Sequence, residues 1–143
     1  MERALALARE TGTHLLHAYM SPLALVYWRS GRRDDAFDHV EQCLAITQRA
    51  NERMIEAGVR DTFGELLRLD GGYAGALDQH RAALAVARAG GTPHDEARAY
   101  TGLGDTRAHL GDQDAARAEW RRALEIFARL GRADADLVRK RLP

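Results

Sequence analysis

The chain has 143 residues, and its 21 basic and 21 acidic side chains give a formal net charge of zero at neutral pH. This length suits one domain with its own core, and the balanced charge provides no overall field that would attract nucleic acid or an anionic membrane. One cysteine excludes an internal disulfide, and the first residues lack the long apolar run of a signal peptide or membrane span, so we expect a cytoplasmic protein without direct nucleic-acid contact.

Apolar residues at helical spacing predict a series of helices along the chain. The predicted helices cover residues 2–10, about 14–29, 33–49, 52–69 and 73–89, two helices between 93 and 130, and a last polar helix over 132–142. Pro22 lies inside the second of these, where it either kinks the helix or restarts it with Ser21 as the cap. Pro93 follows two glycines and suits the first turn of the next helix.

The same pattern of small and turn residues recurs at a step of 40 residues. The recurring columns are the turn residues Gly31, Gly71 and Gly111, the first-helix residues Ala24, Gly64 and Gly104, and the second-helix residues Ala36, Ala76 and Ala116. A period of this size with one helix pair per period is the signature of an α-solenoid. We therefore predict one all-α domain with a half repeat over 1–12, repeats over about 13–50, 51–90 and 93–130, and a capping helix over 132–142.

The clearest unit, residues 97–127, carries a family pattern. Tyr100-x-x-Leu103-Gly104, followed by Ala116-x-x-x-Trp120 and then Ala123, resembles the tetratricopeptide repeat. The period is longer than the usual length of about 34 residues, so the units are similar to an elongated variant in which both helices gain about a turn. The resemblance covers residues 17–130 and implies a right-handed stack of antiparallel helix pairs that binds other proteins and is not an enzyme.

In arrays of this family the first helices line a concave face, which implies a binding surface at fixed positions of each repeat. The implied set is Ser21, Leu25 and Trp28, then Asp61, Glu65 and Arg68, then Arg98, Thr101 and Asp105. Such a face has an apolar end and an acidic middle, which favours a peptide with an apolar anchor and basic residues. The alternative is a mixed, solvated face with no ligand. A site for a terminal carboxylate is disfavoured, because only Arg98 is suitably placed and two acids would repel the ligand.

The residues that could bind a metal or take part in catalysis have structural explanations. His14 and His17 are three residues apart on a helix, but two ligands without a third make a weak metal site, so we expect no metal and no cofactor. His80 stands in the column of Trp120, where packing explains it better than catalysis. Acidic residues near predicted helix starts, such as Asp112, suit caps. An enzyme built on a helical array is the disfavoured alternative, because no nucleophile has a base beside it.

The phrases GLGDTRAHLGD and RALEIFARLG are similar to the C-terminal arrays of large actinobacterial transcriptional regulators. That resemblance implies a sensing or regulatory segment, with a free-standing adaptor or peptide receptor as the alternative. The half repeat at the start has no first helix before it, so Leu5 and Leu7 should leave an apolar stripe uncovered. We expect a homodimer, or in a longer protein a preceding domain, to cover this stripe.

Overall fold

The computed structural model describes residues 23–143, which form helices joined by short turns and contain no strand. The helices are α1, of which residues 23–29 are described, α2 (Arg33–Arg49), α3 (Arg53–Leu69), α4 (Tyr73–Gly90), α5 (Pro93–His109), α6 (Gln113–Arg129) and α7 (Asp134–Arg139). The prediction of an all-α solenoid of helix pairs is confirmed. Pro93 occupies the first turn of α5, as expected.

A left-handed residue ends each described helix from α1 to α6. The predicted turn glycines have φ values of +76° at Gly31, +84° at Gly71 and +84° at Gly111. A second column, not recognised in the sequence, ends the second helices at Asn51, Gly91 and Gly131, with φ values of +55°, +63° and +66°. The turn at Gly71 shows why a left-handed residue is needed. It reverses the chain so that the amide of Gly72 can donate to the carbonyl of Leu67, at 2.7 Å.

Each helix packs mainly on its neighbours in sequence, and the first helices α3 and α5 also contact each other. The last helix, α7, packs on α6 as the first helix of a further repeat would. It is shorter than the predicted range of 132–142, because residues 140 and 141 form a turn. Leu137 follows Ala97 by 40 residues, so the repeat register continues into the capping helix.

The buried apolar side chains form two clusters with α4 between them. The first includes Tyr27, Val40 and Leu66, and the second includes Tyr100 and Trp120. The buried residues of α4 itself are Ala76, His80, Ala83 and Ala87. The middle repeat thus buries an imidazole at the position where the last repeat buries an indole.

Glycines in the first helices allow the second helices to approach closely. A Cβ on Gly64 would lie 2.6 Å from His80 Nε2, and a Cβ on Gly104 would lie 2.4 Å from Trp120 Cδ1. The prediction that Gly64 and Gly104 mark close helix contacts is therefore confirmed. Gly102, which the sequence placed only inside a helix, also contacts the His80 ring.

Several expectations concern residues that lie outside the described range. These are the half repeat over 1–12, the helix from about residue 14, the His14/His17 pair, the alternatives at Ser21 and Pro22, and the apolar surface at Leu5 and Leu7. They stay predictions.

Candidate functional site: a concave groove

The first helices line a concave groove of about 330 Å³. Of the nine residues expected on this face, six line it: Leu25, Asp61, Glu65, Arg98, Thr101 and Asp105. Arg68 lies beside Asp105 in an adjoining depression, and Ser21 is outside the described residues. The repeat register therefore brings residues from α1, α3 and α5 to one place.

Asp61, which belongs to the acidic middle predicted for this face, is buried. It is only 4% exposed, and its Oδ1 lies 2.9 Å from Nδ1 of His80, which is 2% exposed. Burial raises the pKa of Asp61 above its usual value, although the hydrogen bond to His80 and the charge of Arg98 act in the opposite direction. The interpretation of His80 as a packing residue was incomplete, because its imidazole also binds this carboxyl group.

Glu65 and Arg68 neutralise each other along the groove. Arg68 Nη2 and Nε donate to the two oxygens of Glu65, the first at 2.5 Å and the second at 3.2 Å. Arg68 Nη1 also donates to Nε2 of His109 at 2.9 Å, which joins the ends of α3 and α5. The His109 ring in turn stacks on Tyr73 at a centroid distance of 5.4 Å. A ligand would therefore meet Glu65 as part of an ion pair.

Asp105 connects the groove to the second helix and to the end of the chain. Its Oδ1 accepts a hydrogen bond from the indole of Trp120 at 3.0 Å. Arg141 donates to both of its oxygens, from Nε at 2.8 Å and from Nη2 at 3.2 Å. This bidentate pair fixes the segment after α7 against α5.

Trp28, which was predicted for the concave face, is not among the residues that line this groove. Its half-buried ring packs edge-on against Phe37 at a centroid distance of 6.3 Å, and Phe37 packs in the same way against Phe63 at 6.2 Å. The indole therefore belongs to an aromatic row between the first two helix pairs. Leu25 is the residue of the predicted apolar end that reaches the groove.

Five groove residues near the end of the chain were not predicted from the sequence. They are Phe127, Asp134, Leu137, Val138 and Arg141. The signal was present, since Arg141 follows Thr101 by 40 residues and Val138 follows Arg98 by the same step. Because the last helix is polar, it was interpreted only as a cap, and the continuation of the 40-residue repeat into it was not recognised.

Cys43 and His39 are buried away from the groove. Cys43 is fully buried, and burial raises the pKa of its thiol to about 12, so the thiolate is scarce near neutral pH. Burial also lowers the pKa of His39, which favours the neutral imidazole.

Residues 23–143 contain no group of three or more potential metal ligands. No helix in this range is both long and apolar enough to cross a membrane.

Comparison with protein families identifies the repeat. A tetratricopeptide repeat model matches residues 57–129, which is more than half of the chain, and a second one matches residues 18–53. The chain belongs to the tetratricopeptide repeat family. Tetratricopeptide repeats mediate protein–protein interactions and are typically non-catalytic. No match was found among curated protein sequences.

Solved structures share this tetratricopeptide fold. The crystal structure of BtubC (BKLC) from P. vanneervenii aligns with a TM-score of 0.81 at 21% identity, over 96% of this chain and 59% of that one. The tetratricopeptide domain of Arabidopsis FLU aligns with a TM-score of 0.67 at 20% identity, over 80% of this chain and 94% of that one. The present chain thus spans less than two thirds of the length of BtubC.

Proposed function

We propose that the concave groove binds a short peptide segment of a partner protein, and that this segment carries apolar and basic side chains. The charge of the lining supports the proposal. Four carboxyl side chains line the groove, those of Asp61, Glu65, Asp105 and Asp134. Three of them pair with an arginine, Glu65 with Arg68, Asp105 with Arg141 and Asp134 with Arg132, whereas no arginine among the described residues is hydrogen-bonded to Asp61. A basic side chain of a ligand could supply this missing partner.

Apolar side chains in the same groove would hold the uncharged part of the segment. Leu25 contributes from α1, Phe127 from α6, and Leu137 and Val138 from α7. Leu137 is 55% exposed, so it can lose apolar surface when a ligand binds. The cavity volume of about 330 Å³ fits a few side chains and not a whole helix.

Peptide display tests the proposal. Random 12-residue peptides are selected on the purified chain, and the dissociation constants of selected peptides are measured by fluorescence anisotropy. We expect Arg or Lys beside apolar residues to be enriched. We also expect Glu65→Lys to weaken binding by about tenfold, because it reverses a charge in the groove.

Glu125→Lys is the matched control for this experiment. Glu125 is an exposed residue of α6 that does not line the groove, and the substitution changes the charge by the same amount. We expect it to leave the dissociation constant within about twofold. Equal weakening by both variants, or selected peptides with no basic residues, would contradict the proposal.

We further propose that the groove serves as the sensing or regulatory segment of a cytoplasmic bacterial transcriptional regulator. The sequence phrases similar to actinobacterial regulator arrays support this setting. The balanced charge of the chain would leave DNA contact to another part of the regulator. A free-standing adaptor or peptide receptor is the alternative. Reading the genomic sequence upstream of Met1 separates the two, since a regulator would place a DNA-binding domain there.

A further inference from the structure

One buried carboxylate oxygen on the groove wall has no hydrogen-bond partner. Oδ1 of Asp61 is bound to His80, whereas Oδ2 is buried and meets no donor among residues 23–143. A buried acceptor without a donor costs free energy, and such groups are uncommon in folded proteins. Asp61 lines the groove, so a ligand group that moves in beside its side chain could satisfy this acceptor.

The position of this carboxyl group is fixed by the ring beside it. The imidazole of His80 lies between Gly64 and Gly102, and a Cβ on either glycine would approach it to within 2.6 Å and 2.2 Å. The ring has no room to turn, so it holds Oδ1 of Asp61 in place. Because Oδ1 is fixed, Oδ2 is held in a single direction.

The surroundings favour a cation as the missing donor. Arg98 also lines the groove, and its charge favours the ionised form of Asp61, but it makes no hydrogen bond to either oxygen of Asp61. Its Nη1 lies 3.9 Å from Oδ1 of Asp95. A positively charged donor would gain from the charge of Asp61, and a charge-assisted hydrogen bond is about twice as strong as a neutral one.

We propose that Asp61 is the anchor for one basic side chain of the partner, with Oδ2 as the acceptor and His80 as the positioning residue. This inference deepens the peptide-binding function proposed above and rests on the same groove. Arg98 competes for the anchor, because it carries the same charge as the ligand. Binding of the cation favours the ionised carboxyl group, so affinity rises with pH while Asp61 loses its proton.

A small probe tests the anchor without a full peptide. N-acetyl-arginine amide is titrated into the folded chain, and the NMR shifts of the His80 imidazole and of the Asp61 amide are followed. N-acetyl-norleucine amide, which is uncharged, is the matched probe. We expect saturable shifts with the arginine probe alone, and stronger binding at higher pH.

Two variants and a control decide the outcome. Asp61→Asn should weaken the arginine probe by about tenfold or more, because it removes the charged acceptor. Arg98→Gln should strengthen it severalfold, and Glu125→Gln should leave it unchanged. If Asp61→Asn does not fold, as judged by circular dichroism, Arg98→Gln carries the test, and unchanged or weaker binding overturns the proposal.

Other results would overturn the anchor in distinct ways. No saturable shift with the arginine probe would mean that a bound water or nothing satisfies Oδ2. Equal shifts with the norleucine probe would mean that the contact is apolar. If selected peptides bind in a Glu65-dependent manner but bind Asp61→Asn equally well, the anchor is wrong and the peptide-binding function stands. If the arginine probe binds through Asp61 and no peptide is selected, the peptide-binding function is wrong.

Discussion

The imidazole of His80 lies directly against the backbone of Gly102, so closely that a Cβ at position 102 would be 2.2 Å from Cε1 of the ring. The two residues belong to successive repeats, His80 to the second helix of one and Gly102 to the first helix of the next. A glycine at this position therefore sets the distance between the repeats.

We expect Gly102→Ala to destabilise the protein even though alanine is the better helix former. The added methyl group would displace the His80 ring, which Gly64 confines on its other side, and overpacking of this kind costs about 1–3 kcal/mol. The helix propensity gained is about 1 kcal/mol. The free energy of unfolding in urea measures the balance.

Gly90→Ala is the control for this prediction. Gly90 is also helical, and a Cβ there would meet no atom within 4 Å. We expect the free energy of unfolding of Gly90→Ala to exceed that of Gly102→Ala by about 1–3 kcal/mol. The destabilisation caused by Gly102→Ala should be smaller in a His80→Ala background than in the wild type, since the two residues are in contact. Fully additive effects would show that the ring does not limit the spacing.

The stability of Asp61→Asn relative to the wild type should rise with pH. Burial raises the pKa of Asp61 above 3.8, so the folded chain holds this proton more tightly than the unfolded chain does. The stabilisation that this tighter proton binding gives the wild type is complete below pH 3.8 and is lost as the pH rises through the raised pKa of the folded chain. The titratable groups that act on Asp61 are His80 on α4 and Arg98 and Asp95 on α5.

Urea unfolding of Asp61→Asn and the wild type between about pH 4 and pH 7 checks this sign. Asp78→Asn is the control, because the side chain of Asp78 is 78% exposed and its substitution should have little pH-dependent effect. A stability difference for Asp61→Asn that is constant or falls with pH would show that the folded chain does not favour the protonated carboxyl group.

Asp112→Ala should destabilise α6 by about 0.5–2 kcal/mol. Oδ1 of Asp112 accepts a hydrogen bond from the amide of Ala115 at 3.1 Å, and this cap confirms the role expected for the acid. Asp114→Ala is the comparison, because Asp114 lies in the same first turn with its side chain 99% exposed. It should lose only the weaker dipole interaction and an exposed ion pair with Arg117 at 3.7 Å. Thermal unfolding followed by circular dichroism distinguishes them. Equal losses of stability in the two variants would show that Asp112 does not act as the cap of α6.

Sedimentation tests the predicted homodimer. At micromolar concentration we expect the wild type to be a dimer and Leu5→Glu/Leu7→Glu to be a monomer, since charged residues would disrupt an apolar interface. The control is Leu69→Glu/Leu110→Glu, which makes the same change at leucines that are 42% and 52% exposed. A monomeric wild type, or a control that dissociates as readily, would rule out this interface.

The helices and their close contacts could be predicted from the sequence because they depend on periodicity. A step of 40 residues places Gly64 and Gly104 in one column, and both contact the aromatic or imidazole ring of the facing helix. The burial of Asp61 could not be predicted in this way. Thr101 stands in the same column, is half-buried and donates to the backbone carbonyl of Ala97, whereas Asp61 is buried against the imidazole of His80.

The position of Trp28 was missed for a related reason. Counting from the start of a repeat fixes the face of the helix on which a residue lies, but a large side chain can extend toward the neighbouring helix. The Trp28 ring packs edge-on against Phe37, a contact that the repeat register does not predict. The register predicted six of the residues that line the groove, and side-chain partners account for where Trp28 packs.

The groove joins residues from distant parts of the chain, since Leu25 and Arg141 both line it. An array in which helices pack mainly on their neighbours can fray from either end, because the loss of one terminal helix leaves the others intact. A ligand in the groove would contact the first and the last described helices together. It would act as a crosslink between them, so that hydrogen exchange at both ends slows in the complex and the array unfolds as one unit.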